Sequence, residues 1–288
     1  MAAFVQILIG SVLQGGLYAL GAFGLSLSFG VLKILNLSHG DFLMLGGFGG
    51  YFALVYLGLN PFVSAIVLGA AFFLVGIGYH QAFLARLSHR TPQGLLVASV
   101  MVTLGTALAI EDLTSFLSGG APVGIPYRLH SLTWGGAVFP VLRLILLAAT
   151  LILTIALYYF FSRTFLGRAV RASTINRDGA LLVGINIRRI ALFTFGLGTA
   201  LAAGTGVFYA TLFTVEPFMG LALALKYLAV IVVGGMGSLP GVFVGGLVIA
   251  AAEGFTAYYA GPRWSPMVAF AILVAALLLK PQGLLGRE

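Results

Sequence analysis

Charge is scarce in this chain and sits between apolar runs, and no other feature restricts its fold as strongly. Of 288 residues, 15 are Lys or Arg and 7 Asp or Glu, 8% in all against 60% hydrophobic. A soluble domain carries about 25% charged residues. So apolar a surface would aggregate in water, whereas lipid accepts it. The expectation is an all-α, polytopic transmembrane helical bundle formed as one domain over 1–288.

Crossing ~30 Å of hydrocarbon takes about 20 apolar residues. Candidate spans fall at 4–30, 41–57, 61–84, 94–117, 137–161, 189–213, 221–235, 241–260 and 266–280. Those at 41–57, 221–235 and 266–280 are short, so eight or nine crossings are both open. Basic residues mark the cytoplasmic side. Arg163, Arg168, Arg171, Arg177, Arg188 and Arg189 share one loop with a single acid, Asp178. Alternation outward from that loop also puts Lys33, Arg86, Arg90, Lys280 and Arg287 inside. Arg128, Arg143, Lys226 and Arg263 fall outside. Nine spans then leave the N-terminus outside and the C-terminus inside.

Several classes are excluded. The chain has no cysteine, hence no disulfide, thiolate metal site or cysteine nucleophile. Neither Gly-x-Ser-x-Gly nor His-Glu-x-x-His occurs, and His39, His80, His89 and His130 stand apart without ligand spacing. An enzyme is not expected. No phosphate-binding Gly-Lys-Ser/Thr loop occurs either, so any ATP use belongs to a separate chain. The formal charge of +8 reflects loop orientation rather than nucleic-acid binding. The first residues lack the basic region and cleavage site of a signal peptide. Forty glycines suit close helix packing in lipid.

Two Gly-polar breaks interrupt the apolar pattern. The first runs Lys33-Ile-Leu-Asn36-Leu-Ser38-His39-Gly40-Asp41, the second Gly234-Gly235-Met236-Gly237-Ser238-Leu239-Pro240-Gly241. Backbone at membrane depth must be satisfied or line a watery cavity, and paired interruptions point to a transporter's solute site. Asn36, Ser38, His39 and Gly40 are therefore candidates for a solute path, with Gly234, Gly235, Gly237 and Ser238. The alternative for the first break is an interfacial turn in which Asn36 or Ser38 caps the next helix. Intramembrane carboxylates are functional candidates by default. Glu253 joins the path on that ground, with pairing to a basic neighbour as the rival role. Glu111 and Asp112, about 100° apart on one helix, cannot share a groove and lie near a watery outer end. Glu216, before Pro217, is expected to be solvated.

The loop 162–188 carries a short amphipathic helix over 169–183, stopped by Gly184. Ala172, Ile175 and Leu182 recur at helical spacing beside Arg168, Arg171 and Arg177. Such a helix either lies on the membrane or docks in a groove of a cytoplasmic partner. Periodicity leaves the two open.

Four blocks in order resemble the branched-chain amino acid ABC permeases: Asn36-Leu-Ser38-His39-Gly40, Leu166-Gly-Arg168-Ala-Val-Arg171-Ala with Ala180-Leu-Leu-Val-Gly184, Val233-Gly-Gly-Met-Gly237-Ser238-Leu-Pro240-Gly241, and Pro281-Gln-Gly283-Leu-Leu-Gly286-Arg287. They cover nearly the whole chain. The resemblance implies a multi-pass subunit of the bacterial inner membrane, surrounded by membrane lipid. It implies a second homologous permease subunit, two cytoplasmic ATPase subunits that bind the ATP, and a periplasmic solute-binding protein. No cofactor is expected on this chain. By the same resemblance, 169–185 becomes the ATPase-coupling helix, and glycines 234, 235, 237 and 241 shape a tight loop beside the path. Ser38 stands where the signature usually has Ala, and the outer loop 118–136 is short. Branched-chain or other hydrophobic amino acids lead as solute, with urea, amides and aromatic acids as alternatives. An ion-coupled secondary transporter using Glu253 or Asp112 is the rival mechanism.

Overall fold

The computed structural model of the chain describes residues 2–87, 91–127, 129–134, 137–280 and 282–285. His89, Arg90, Arg128, Pro281, Gly286 and Arg287 lie outside them. Eleven α-helices occur among the described residues: α1 (Ala2–Leu32), α2 (His39–Leu57), α3 (Pro61–Tyr79), α4 (Pro92–Ser118), α5 (Val141–Arg163), α6 (Phe165–Ile175), α7 (Arg177–Leu182), α8 (Ile187–Leu212), α9 (Gly220–Gly234), α10 (Leu239–Tyr259) and α11 (Ser265–Leu279). A two-stranded antiparallel hairpin, β1 (Ser131–Trp134) and β2 (Ala137–Pro140), lies between α4 and α5. The sequence had placed the fifth span from 137. The helix instead begins at Val141, because 137–140 pairs as a strand.

Eight helical segments are long and apolar enough to cross a bilayer, so the all-α, multi-pass expectation holds. α9, with 15 residues, is about 22 Å long at 1.5 Å per residue, short of a full crossing.

The chain forms two compact units. The first comprises Met1–Phe23, Pro126–Leu157 and Lys226–Glu288, the second Gly24–Ile125 and Tyr158–Leu225. In the first, α10 lies against the start of α1 at backbone contact. A Cβ on Gly15 would come within 2.8 Å of the Leu247 Cα. The Thr150 hydroxyl of α5 donates to the Gly16 carbonyl at 3.1 Å, a cross-helix bond where no water competes.

In the second unit, α8 packs on α2, α3 and the end of α1. Gly198, Ala202 and Gly206 recur every four residues, the small-residue spacing that lets helices meet in lipid. A Cβ on Gly206 would strike the Leu43 carbonyl, and one on Gly198 would come within 2.7 Å of the Gly24 carbonyl. Tyr79 closes this core by stacking on Phe195, with ring centroids 5.7 Å apart. α4 and α11 instead expose apolar side chains such as Met101, Leu108, Val274 and Leu278, a surface suited to lipid or partner helices.

Candidate translocation and coupling elements

The first break belongs to the second unit and is packed shut. Asn36, Ser38 and His39 are each 2% exposed or less. Lys33 takes a left-handed backbone, φ 54°, which ends α1 sharply. α4 staples the following turn: the Leu37 N–H donates to the Thr103 hydroxyl at 3.1 Å, and that hydroxyl faces the Leu35 carbonyl at 3.3 Å. Ser38 occupies the cap position of α2 but makes no side-chain cap bond. Its hydroxyl donates to the Asn36 side chain at 2.7 Å. Ser38 therefore does not cap the helix through its side chain, because its hydroxyl is turned to the Asn36 amide oxygen. Gly40 sits where a Cβ would strike the Gly220 carbonyl at the start of α9.

Beside it lies a pair of acids. Asp41 is fully buried, and neither carboxylate oxygen has a hydrogen-bond partner among the described residues. Its carboxylate touches Gly220, and the Leu221 N–H donates to Glu111 at 3.3 Å. Both acids thus meet the N-terminal end of α9, where the helix dipole favours negative charge. Glu111 is buried, not watery as its position suggested, since α4 continues to Ser118. Asp112 on the next face is exposed, as is Glu216.

The second break belongs to the first unit and differs in local geometry. Gly235 and Gly237 have φ of 109° and 85°, a backbone that L side chains rarely adopt. Ser238 caps α10, accepting from the Gly241 N–H at 3.2 Å. Gly234 and Gly241 face each other so closely that a Cβ on either would meet the other's carbonyl. The tight loop expected there is present. Its partner is the C-terminal tail: Leu284 and Leu285 donate N–H to the Val233 and Gly234 carbonyls at 2.8 and 3.0 Å. These are the carbonyls α9 leaves open.

Glu253 of α10 is buried and engaged. Lys226 Nζ lies 2.9 Å from Oε1, and the Tyr18 hydroxyl donates to Oε2 at 2.6 Å. Lys226 also stands over the Tyr18 ring, 4.8 Å from its centroid. Pairing, not an open carboxylate, is what the structure shows. Lys226 is a half-buried residue of α9.

The loop 162–188 folds as two helices, not one over 169–183. Thr164 caps α6 through the Gly167 N–H at 3.1 Å. Asn176, in extended backbone, ends α6 and caps α7 by accepting from the Gly179 N–H at 2.9 Å. Gly184 has φ 80° and stops α7 as expected. The break shifts the helical phase between the two segments; the side chains of Ile175 and Arg177 lie outside those described. Ala169, Val170 and Ser173 turn inward, and Ala172 is half-buried. Phe165, Leu181, Leu182 and Val183 are exposed, Leu182 at 89%. Of these only Leu182 was anticipated. Arg168 points outward, while Arg171 donates to the Ser162 carbonyl at 3.1 Å, neutralising the end of α5.

Residues 7–277 match the family described as "Branched-chain amino acid transport system / permease component". The chain belongs to this family. The high-affinity branched-chain amino acid transport system permease protein LivH of Escherichia coli (strain K12) is 28% identical over 99% of this chain and 96% of its own length. BraD of Pseudomonas aeruginosa is likewise 28% identical over 99% of this chain and 96% of its own. Among solved structures, PsaBC from Streptococcus pneumoniae in complex with Fab covers 96% of this chain and 92% of its own, with TM-score 0.51 and 15% identity. That likeness concerns the fold. Membership of this permease family makes the chain a multi-pass transport subunit and not an enzyme.

Proposed function

We propose that this permease is half of the membrane pore of an ATP-driven importer in the bacterial inner membrane. Its solute is a branched-chain or similar hydrophobic amino acid. A second homologous permease subunit completes the pore, two cytoplasmic ATPases drive it, and a periplasmic binding protein delivers the solute. The observation that carries this reading is the exposed apolar cluster Leu181-Leu182-Val183 at the end of α7, in the arginine-rich segment. A soluble-facing cluster of this kind needs a partner groove. Family membership and full-length likeness to proteins named for branched-chain amino acid transport support the solute class.

Mechanistically, ATP binding closes the ATPases and moves the α6–α7 segment gripped by them. The permease alternates between an outward and an inward opening. Asn36, Ser38, His39, Gly40 and the loop at Gly234, Gly235, Gly237 and Ser238 form path walls that open only in part of the cycle. A solute shifts such an equilibrium only by its differential affinity for the two states, so it binds this subunit weakly. Ion coupling through Glu253 is disfavoured by its engagement with Lys226 and Tyr18.

The test is leucine uptake by the purified complex in liposomes. ATP should drive uptake, and an uncoupler should leave it unchanged. Leu182→Asp should cut uptake at least roughly tenfold, the scale of losing a buried interface anchor. The variant should still insert but lose its ATPases on purification. Uptake that ignores ATP and collapses with the uncoupler would overturn the reading.

A further inference from the structure

A cavity of about 700 Å³ lies within the second unit, bordering the first break at Ile34. Its walls come from the ends of spans: the last residues of α1, Leu84 and Arg86 just after α3, Leu95 near the start of α4, and Ile187 and Arg188 at the start of α8. All of these termini flank segments that the positive-inside pattern assigns to the cytoplasm. The cavity therefore sits at the level of the lipid headgroups, bordered by Ser173 of α6.

Its chemistry is one-sided. Arg86, Arg188, His80 and Gln81 supply the polar groups, and no acid lines it. Neither guanidinium has an ion-pair partner among the described residues. His80 is 5% exposed and its Nδ1 has no hydrogen-bond partner among them. The helix widens here: the Ala85 N–H donates to the His80 carbonyl five residues back, a π-helical turn over His80–Leu84. Such turns interrupt otherwise regular helices and recur at functional sites. Here the turn brings His80 and Leu84 to the same wall. Leu84 and Ile187 make the rest of the wall apolar.

We propose that this cavity binds a phosphate-bearing anion, with the headgroup of an anionic inner-membrane phospholipid as the source its apolar wall favours. Two guanidiniums match phosphate geometry, and basic pockets between helices at the cytoplasmic face are suited to anionic headgroups. The inference rests on the span assignment and stands whether or not the transport reading holds.

The permease, purified with its complex, is reconstituted in phosphatidylcholine nanodiscs with and without phosphatidylglycerol, and retained lipid is counted by native mass spectrometry. Phosphatidylglycerol should be retained over phosphatidylcholine by the unaltered protein. Retention should weaken about fivefold for each arginine neutralised in Arg86→Gln/Arg188→Gln. Arg86→Lys/Arg188→Lys should recover most of it, and Arg263→Gln, on the other face, should change nothing. If the double glutamine variant does not insert, Arg86→Gln alone is read. In a second arm, inorganic phosphate is titrated onto the delipidated complex. Arginine-dependent phosphate binding without lipid retention assigns the site to a soluble phosphate compound, and the anion site stands. Equal lipid retention in the glutamine pair together with no phosphate binding overturns the proposal. So does an equal loss in Arg263→Gln, or release of the ATPases from the glutamine pair with lipid retained.

Discussion

Single atoms decide much of this structure, because its helices meet at backbone distance. At Gly206 the space for a methyl group is already filled by the Leu43 carbonyl. Gly206→Ala should therefore destabilise the permease by about 1–3 kcal/mol, the usual penalty of overpacking. Thermal unfolding of the detergent-purified protein would register it. Gly105 of α4 is the internal control, since a Cβ there meets nothing within 4 Å. Gly105→Ala should leave the melting temperature unchanged or raise it, as alanine is the better helix former. Equal behaviour of the two variants would refute the packing account.

Among elements, the joints are the Lys226–Glu253–Tyr18 cluster and the tail. The cluster ties α1, α9 and α10 together through one largely buried ion pair, with side chains 19% and 6% exposed. Removing one partner leaves an uncompensated charge, so Lys226→Met or Glu253→Met should each cost about 3–5 kcal/mol. The double variant should recover much of that loss, and a thermal-melt double-mutant cycle reads the difference. Additive losses would show that the pair is not the joint described here. The tail gives the family's C-terminal motif a physical role. Gly283, at φ 78°, lies against Gly235, where no side chain fits, and the next two N–H groups close α9. Deleting the chain beyond Lys280 should expose two carbonyls and lower stability by about 1–3 kcal/mol for each left unsatisfied. Faster proteolysis at the 235–238 loop would report it.

For the whole molecule, the chain's lack of cysteine makes sidedness directly measurable. Leu182→Cys, in the arginine-rich segment, should react with an impermeant maleimide only in inside-out vesicles. Thr133→Cys, in the exposed hairpin, should react only in right-side-out ones. Labelling of both from one side would invert the orientation and remove the basis for an ATPase grip.

Composition and residue order were enough to determine the class: a chain this poor in charge must be solvated by lipid, and its apolar runs mark the spans to within a few residues. The four ordered motifs were enough to reach the family. Gly184 as a helix stop and the tight glycine loop were also legible, because positive φ is a local property of glycine. What needed tertiary structure was everything set by phase or by a distant partner. Asn176 ends one short helix and caps the next, so residues 169–183 do not share the single helical wheel that their spacing suggests. The engagement of Glu253, the stapling of the first break by Thr103 and the arginine-lined cavity depend on residues far apart in the chain. Their free energy comes from contacts whose geometry no local pattern encodes.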